Sequence, residues 1–280
     1  ELNMYSSIKL ETKGAAAVIT FNRPEKLNSL NDPMILEFRH ALAQAETDDT
    51  ISGIIITGAG KGFCAGMDMN ALDGISAEGE HKRREATEAL KASPGDASMG
   101  EDYISGFTYL MTVRKPVIAA VNGACAGLGL SIALLSDLRF AADNAKFVTS
   151  FSSLGLVAEH GQSWILPRIV GPSNALDLLW SSRRLLPDEA KAIGLINRIF
   201  PADELLDSTV SYINELATKA PLSLQTMKQQ VYRHLNTTLG ESMKETDQLM
   251  AASIAHDDFK EGVAAYLEKR PPNFQKINID

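Results

Sequence analysis

Cysteine is scarce in this chain of 280 residues: there are two, Cys64 and Cys125. Two thiols make no disulfide framework, and a reducing setting, the cytoplasm, is expected. An excess of positive charge is missing too. The formal net charge is −8, so a nucleic-acid backbone is not the expected partner, because neutralising phosphates takes grouped Lys and Arg. No apolar run reaches the roughly 18–20 residues of a membrane span. No basic stretch leads into a signal-like apolar core, so neither a membrane partner nor a leader is expected. Aromatic residues make up only 6 %, yet hydrophobic residues reach 45 %. That is enough for a sizeable core and too much for a disordered chain.

What is present alternates between strand and helix signals. Ile8 to Glu11 has a period of two, and Ala15 to Phe21 is a β-branched apolar run, with Gly14 as the turn between them. A helix is predicted from Asn31-Asp32-Pro33, a cap followed by proline in the first turn, with Ile35, Phe38, Leu42 and Ala45 at helical spacing. Ile51 to Thr57 and Val117 to Val121 read as fully buried strands, and Leu138 to Ala142 and Lys146 to Val148 as shorter ones. Buried strands separated by helices indicate an α/β fold with a mainly parallel sheet. Residues 76–102 are polar and lack a core pattern. An exposed helix over 80–91 and a mobile, lid-like loop are expected there. After about residue 201 the chain is helical in character: 203–219, 221–235 and 241–269, the last broken near His256, with Pro271-Pro272 as the stop.

Two glycine-rich segments follow strands: GAGKGFCAGMD (58–68) and NGACAGLGL (122–130). Glycine lets backbone turn tightly and approach a ligand, and a strand that leads through such a loop into a helix leaves free N–H groups at the helix start. Two loops of this kind can each aim one N–H at a single developing negative charge, an oxyanion hole made of main chain. The plainer reading is that the glycines only permit close helix–sheet packing. Neither segment fits a Walker-type phosphate loop, and the first has no strand-adjacent dinucleotide fingerprint with its following acid.

These segments, together with FNRPEKLNSL (21–30), KPVIAAVNGACAGLGLSIALLSD (115–137), LGLVAEHGQSWILPRIVG (154–171) and HDDFKEGVAAYLEKRPPNF (256–274), resemble the crotonase, or enoyl-CoA hydratase/isomerase, superfamily over nearly the whole chain. The resemblance implies a crotonase-like spiral of ββα units over residues 4–200 and a C-terminal helical region, 201–280, that packs on the core and on a neighbouring subunit. It implies a homotrimer or homohexamer. It also implies an acyl-CoA thioester as substrate, with coenzyme A entering only as part of it, and neither a separate cofactor nor a metal. The thioester oxygen would be held by the N–H groups of Met67 and Leu128. Lys26 and Asp68 would lie near the nucleotide, Ala65 near the adenine, and Tyr266 and Lys269 would reach a neighbour's phosphates.

The acids decide the reaction. Typical hydratases of this family carry two glutamates, which would fall at Ser131 and Phe151; neither residue can activate water. Glu159 instead resembles the single acid of enoyl-CoA isomerases, suited to taking a proton from C2 and returning it at C4. On the residues alone, Glu159 also reads as an acid near the start of a helix. The adjacent His160 is a second candidate, for a hydrolase or carbon–carbon lyase. Ser131, Cys64 and Cys125 read as small packing residues, and Asp137 as a structural acceptor. A hydratase working through Glu159, or an acyl-CoA-binding protein without catalysis, are the alternatives.

Overall fold

The computed structural model describes residues 4–78, 86–277 and 279. Its main sheet has six strands, β1 (Ile8–Lys13), β2 (Ala16–Phe21), β3 (Gly53–Gly58), β5 (Val117–Val121), β7 (Leu138–Ala142) and β9 (Arg198–Phe200), in that spatial order. The β1–β2 pair is antiparallel and the remaining pairs are parallel. A second sheet holds three short parallel strands, β4 (Gly62–Cys64), β6 (Ala124–Ala126) and β8 (Lys146–Val148). The chain therefore visits the large sheet, then the small one, then a helix: β3, β4 and α2 (Met69–Glu78), followed by β5, β6 and α3 (Leu128–Leu135). That is a spiral of ββα units, as expected.

The main sheet is covered on both faces, which explains why Ile54, Ile55 and Ile56 are all fully buried and show no polar alternation. Ile19, Ile54, Ile56, Ala119 and Val121 pack with Phe38 and Leu42 of α1 (Asp32–Thr47) and with α3. Val18, Ile55, Ile118, Ala120 and Phe140 pack on the opposite side with Leu205 and Ile213 of α7 (Leu205–Leu216). Each such side chain taken out of water stabilises the fold by about 1.5–3 kcal/mol. Helix α1 begins where its cap signals it: Asn31 accepts the Met34 N–H at 3.1 Å, with proline in the first turn. Between β8 and α7 lie α4 (Gln162–Val170), α5 (Pro172–Ser181) and α6 (Pro187–Ala192). The chain ends in α8 (Pro221–His234), α9 (Leu239–Ala255) and α10 (Asp257–Glu268).

The stretch read as a mobile loop needs correction. Residues 79–85 lie outside the described residues, and 80–85 of them belong to the expected exposed helix. From residue 86 onward the chain is built of short 3-10 turns tied to the core. Glu46, 2 % exposed, accepts the backbone N–H groups of Gly95 and Arg114 through its two carboxylate oxygens. Gln229 donates to Asp96, the Tyr103 hydroxyl donates to Tyr232 O, and Met99 and Tyr103 are buried. Polar groups anchor this segment through hydrogen-bond partners far away in sequence, which a local hydropathy pattern cannot report.

Candidate functional site

Strands β4 and β6 run side by side with Cys64 opposite Cys125, and this pairing brings the two glycine segments together. The first is held open by two asparagines. Asn28, fully buried, donates to Ala59 O and Gly62 O, and Asn122 accepts from Gly58 N and donates to Gly60 O. Past the strands, Gly66 (φ +99°) and Gly127 (φ +50°) turn the chain in conformations that favour glycine. A Cβ on Gly66 would sit 3.2 Å from Ala126 O and 3.7 Å from Leu128 N.

Met67 is seated through its neighbours, Leu30 N donating to Gly66 O at 2.7 Å and Asp68 N to Leu30 O at 2.8 Å. Leu128 opens α3, so its N–H lacks an intrahelical acceptor. Among the described residues, neither the Met67 nor the Leu128 N–H donates a hydrogen bond. Both residues line a cavity of about 310 Å³, together with Ala65, Phe151 and Glu159. They also line an adjoining, smaller cavity of about 240 Å³ walled by Asp32, Ile35, Phe107, Tyr109 and His160. Two free main-chain donors on one wall and a carboxylate on the same cavity suit the stabilisation of an enolate and the movement of a proton.

The Glu159 side chain is 42 % exposed, and its Oε2 lies 3.7 Å from His160 Nε2. His160 adopts a left-handed backbone (φ +53°) and packs its ring on Phe107, centroids 5.8 Å apart. Where the resemblance sets two hydratase acids, the fold places groups that cannot serve as bases. Phe151 is buried and apolar against the larger cavity. Ser131, fully buried, accepts from Gln162 Nε2 at 3.0 Å. Nothing in the sequence marks Gln162, because a lone glutamine at a helix start carries no signal. Asp137 is structural, accepting from Val117 N and from the Tyr232 hydroxyl and pairing with Lys228 at 2.8 Å.

Both cysteines are buried and unpaired as a disulfide. Burial pushes the Cys64 thiol up to about 12, and Cys125, buried beside it, well above its ordinary value. Thiolate is the reactive form. Native protein at pH 8 is therefore expected to release no chromophore from an aromatic disulfide reagent, and two equivalents once unfolded. Reaction in the native state would contradict this placement.

The expected nucleotide residues are only partly gathered. Ala65 lines the larger cavity. Lys26 is exposed on the turn that precedes Leu27, whose O accepts the Ala65 N–H at 3.0 Å. Asp68, 7 % exposed, is bound by Arg23 at 2.8 Å, and that hydrogen bond holds its carboxyl below the usual carboxylate range. Tyr266 and Lys269 sit on and just after α10, and neither lines either cavity.

A model of the enoyl-CoA hydratase/isomerase family matches residues 11–277. The chain is 36 % identical over 256 residues to the 1,2-epoxyphenylacetyl-CoA isomerase of Escherichia coli, covering 91 % of this chain and 93 % of that one. It is 34 % identical over 271 residues to the crotonyl-CoA hydratase of Syntrophomonas wolfei, covering 96 % and 98 %. Among solved structures it is similar to an enoyl-CoA hydratase from Polaromonas sp. JS666, with a TM-score of 0.83, 30 % identity, and 96 % and 100 % of the two chains covered.

Proposed function

The chain belongs to the enoyl-CoA hydratase/isomerase family, and from that premise we propose that it moves a carbon–carbon double bond within an acyl-CoA thioester, from 3-enoyl to 2-trans-enoyl. The relatives' names divide between isomerases and hydratases, so the choice rests on side chains. One observation carries it. Glu159 is the only carboxylate among the described residues that line the larger of the two cavities at Met67 and Leu128, while Ser131 and Phe151 stand where a hydratase would carry its acids.

The thioester oxygen accepts hydrogen bonds from the Met67 and Leu128 N–H groups. Glu159 takes a proton from C2. The C2–H electron pair becomes a C1–C2 double bond as the C1–O π electrons move onto the thioester oxygen. With the C3–C4 double bond retained this is a dienolate, its charge borne on that oxygen; the C2–C3 double bond forms in the second step. The protonated Glu159 then delivers its proton to C4, and the charge returns from oxygen to leave the 2-enoyl thioester. Each N–H donor at such an oxygen contributes about 3–4 kcal/mol in the transition state. No water is consumed and no cofactor beyond the substrate's own coenzyme A enters.

Lys26 supplies point charge to the nucleotide phosphates, with Asp68 near the nucleotide and Ala65 near the adenine. Tyr266 and Lys269 reach a neighbouring copy's nucleotide. The assembly is a homotrimer or homohexamer, a reading supported by the apolar surface of the last helices, where Leu239, Tyr266 and Leu267 are 73–84 % exposed.

The test offers purified protein 3-enoyl-CoA and 2-enoyl-CoA thioesters of several chain lengths and identifies the products. A 2-trans-enoyl-CoA formed from the 3-enoyl substrate is the expected result. Conversion of the 2-enoyl substrate to 3-hydroxyacyl-CoA without isomerisation would replace this reading with a hydratase. Affinity without turnover across the panel would replace it with a binding protein.

A further inference from the structure

The Gly127 carbonyl and the Leu128 N–H are the two ends of one peptide group. That carbonyl is unusually well supplied with donors: Ser131 N at 3.0 Å, Gln162 Nε2 at 2.9 Å and Ser131 Oγ at 3.4 Å. The first is an ordinary helical bond. The second comes from a side chain 35 residues away that is fully buried. Gln162 Nε2 also donates to Ser131 Oγ at 3.0 Å, so serine and glutamine form one clamp on a single carbonyl. At the other end of the residue, Gln162 N donates to Glu159 O at 3.1 Å. One residue thus ties the turn that bears the acid to the peptide that bears the donor.

We propose that Gln162 is a positioning residue for the oxyanion hole, fixing the plane of the Gly127–Leu128 peptide and polarising it so that the Leu128 N–H becomes a stronger donor. The inference rests on the placement of the thioester oxygen at Met67 and Leu128. Two physical points support it. Gly127 has a positive φ and no side chain, so its peptide lacks the local restraint other residues provide and needs an external one. A donor on a peptide's carbonyl also draws electron density from its N–H, the cooperative effect of hydrogen-bond chains. The amide is held at a cost: Gln162 Oε1 is buried and has no partner among the described residues. A glutamine kept only for packing would be better replaced by an apolar residue of its length, since a buried unpaired acceptor destabilises a fold.

The test compares wild type with Gln162→Met, which preserves length and removes both the donor and the orphaned oxygen. Butyryl-CoA labelled with ¹³C at the thioester carbonyl serves as the probe; it binds but has no double bond to move. On wild type the carbonyl stretch is expected to fall in wavenumber when the thioester binds, and on Gln162→Met a clear part of that shift is lost. With 3-enoyl-CoA, kcat falls about tenfold while KM stays within about twofold, because the lost help is felt mainly once charge has developed. The thermal midpoint stays near that of wild type. An unaltered carbonyl shift on Gln162→Met, with wild type showing one, overturns the inference alone. No shift on wild type overturns the placement of the oxygen at these amides, and the inference with it. Should Gln162→Met not fold, Gln162→Asn, one methylene shorter and out of reach of Gly127 O, takes its place, and the same two results would overturn the inference.

Discussion

Glu159→Gln is expected to lower kcat for 3-enoyl-CoA isomerisation by about 10³-fold while affinity for a 2-enoyl-CoA product stays within about threefold. The amide has nearly the shape of the carboxylate but cannot accept a proton from carbon, and no other carboxylate among the described residues lines the larger cavity to substitute for it. Binding should survive, because the two N–H donors are main chain and do not depend on this side chain. Turnover measured from the conjugated thioester's absorbance, with calorimetric titration of product, gives both numbers. Exchange gives a second check: wild type in deuterated water should place deuterium at C2 and C4, and the variant at neither. Turnover within tenfold of wild type would remove Glu159 as the proton carrier and return attention to His160, whose Nε2 lies 3.7 Å away.

The other large effect is structural. Gly129→Ala is expected to destabilise the fold by about 3 kcal/mol and abolish activity in whatever remains folded. A Cβ on Gly129 would overlap the Cys64 carbonyl oxygen and lie 2.8 Å from the Cys64 Cβ. Neither side can yield easily: Gly129 is in the first turn of α3, and Cys64 is in β4, paired with β6. The collision would drive apart the two segments whose amides are proposed to hold one thioester oxygen. Urea denaturation reports the stability change, and an unchanged midpoint would mean that α3 can shift without resistance. Position 129 thus gives physical content to the plain packing explanation of the glycines. It holds there, while Gly66 and Gly127 have positive φ and serve the turns that precede Met67 and Leu128.

Particular elements show why some of this is legible from residues alone. Helix α1 is marked by the Asn31 cap and apolar residues at helical spacing, and β3 and β5 by apolar runs long enough to bury on both faces. By contrast, β4 and β6 are three residues each, of glycine, alanine, cysteine and one phenylalanine. Such runs have no periodicity, and they exist because partner strands lie beside them. The order of the 86–112 segment is hidden for a related reason: its anchors are Glu46 and Gln229, distant in sequence. The Arg23–Asp68 pair leaves no local signal either.

The sequence by itself determined the family resemblance, the two glycine-rich segments and the lack of acids at positions 131 and 151, because these depend on residue type and local order. Only the tertiary structure decided that Glu159 enters a cavity shared with Met67 and Leu128, that the buried Ser131 is bound by Gln162, and that Gln162 reaches the Gly127 carbonyl. Convergence of groups on one point depends on how sheets, turns and helices stack. A hydrogen bond between side chains far apart in the chain leaves no pattern in the residues between them.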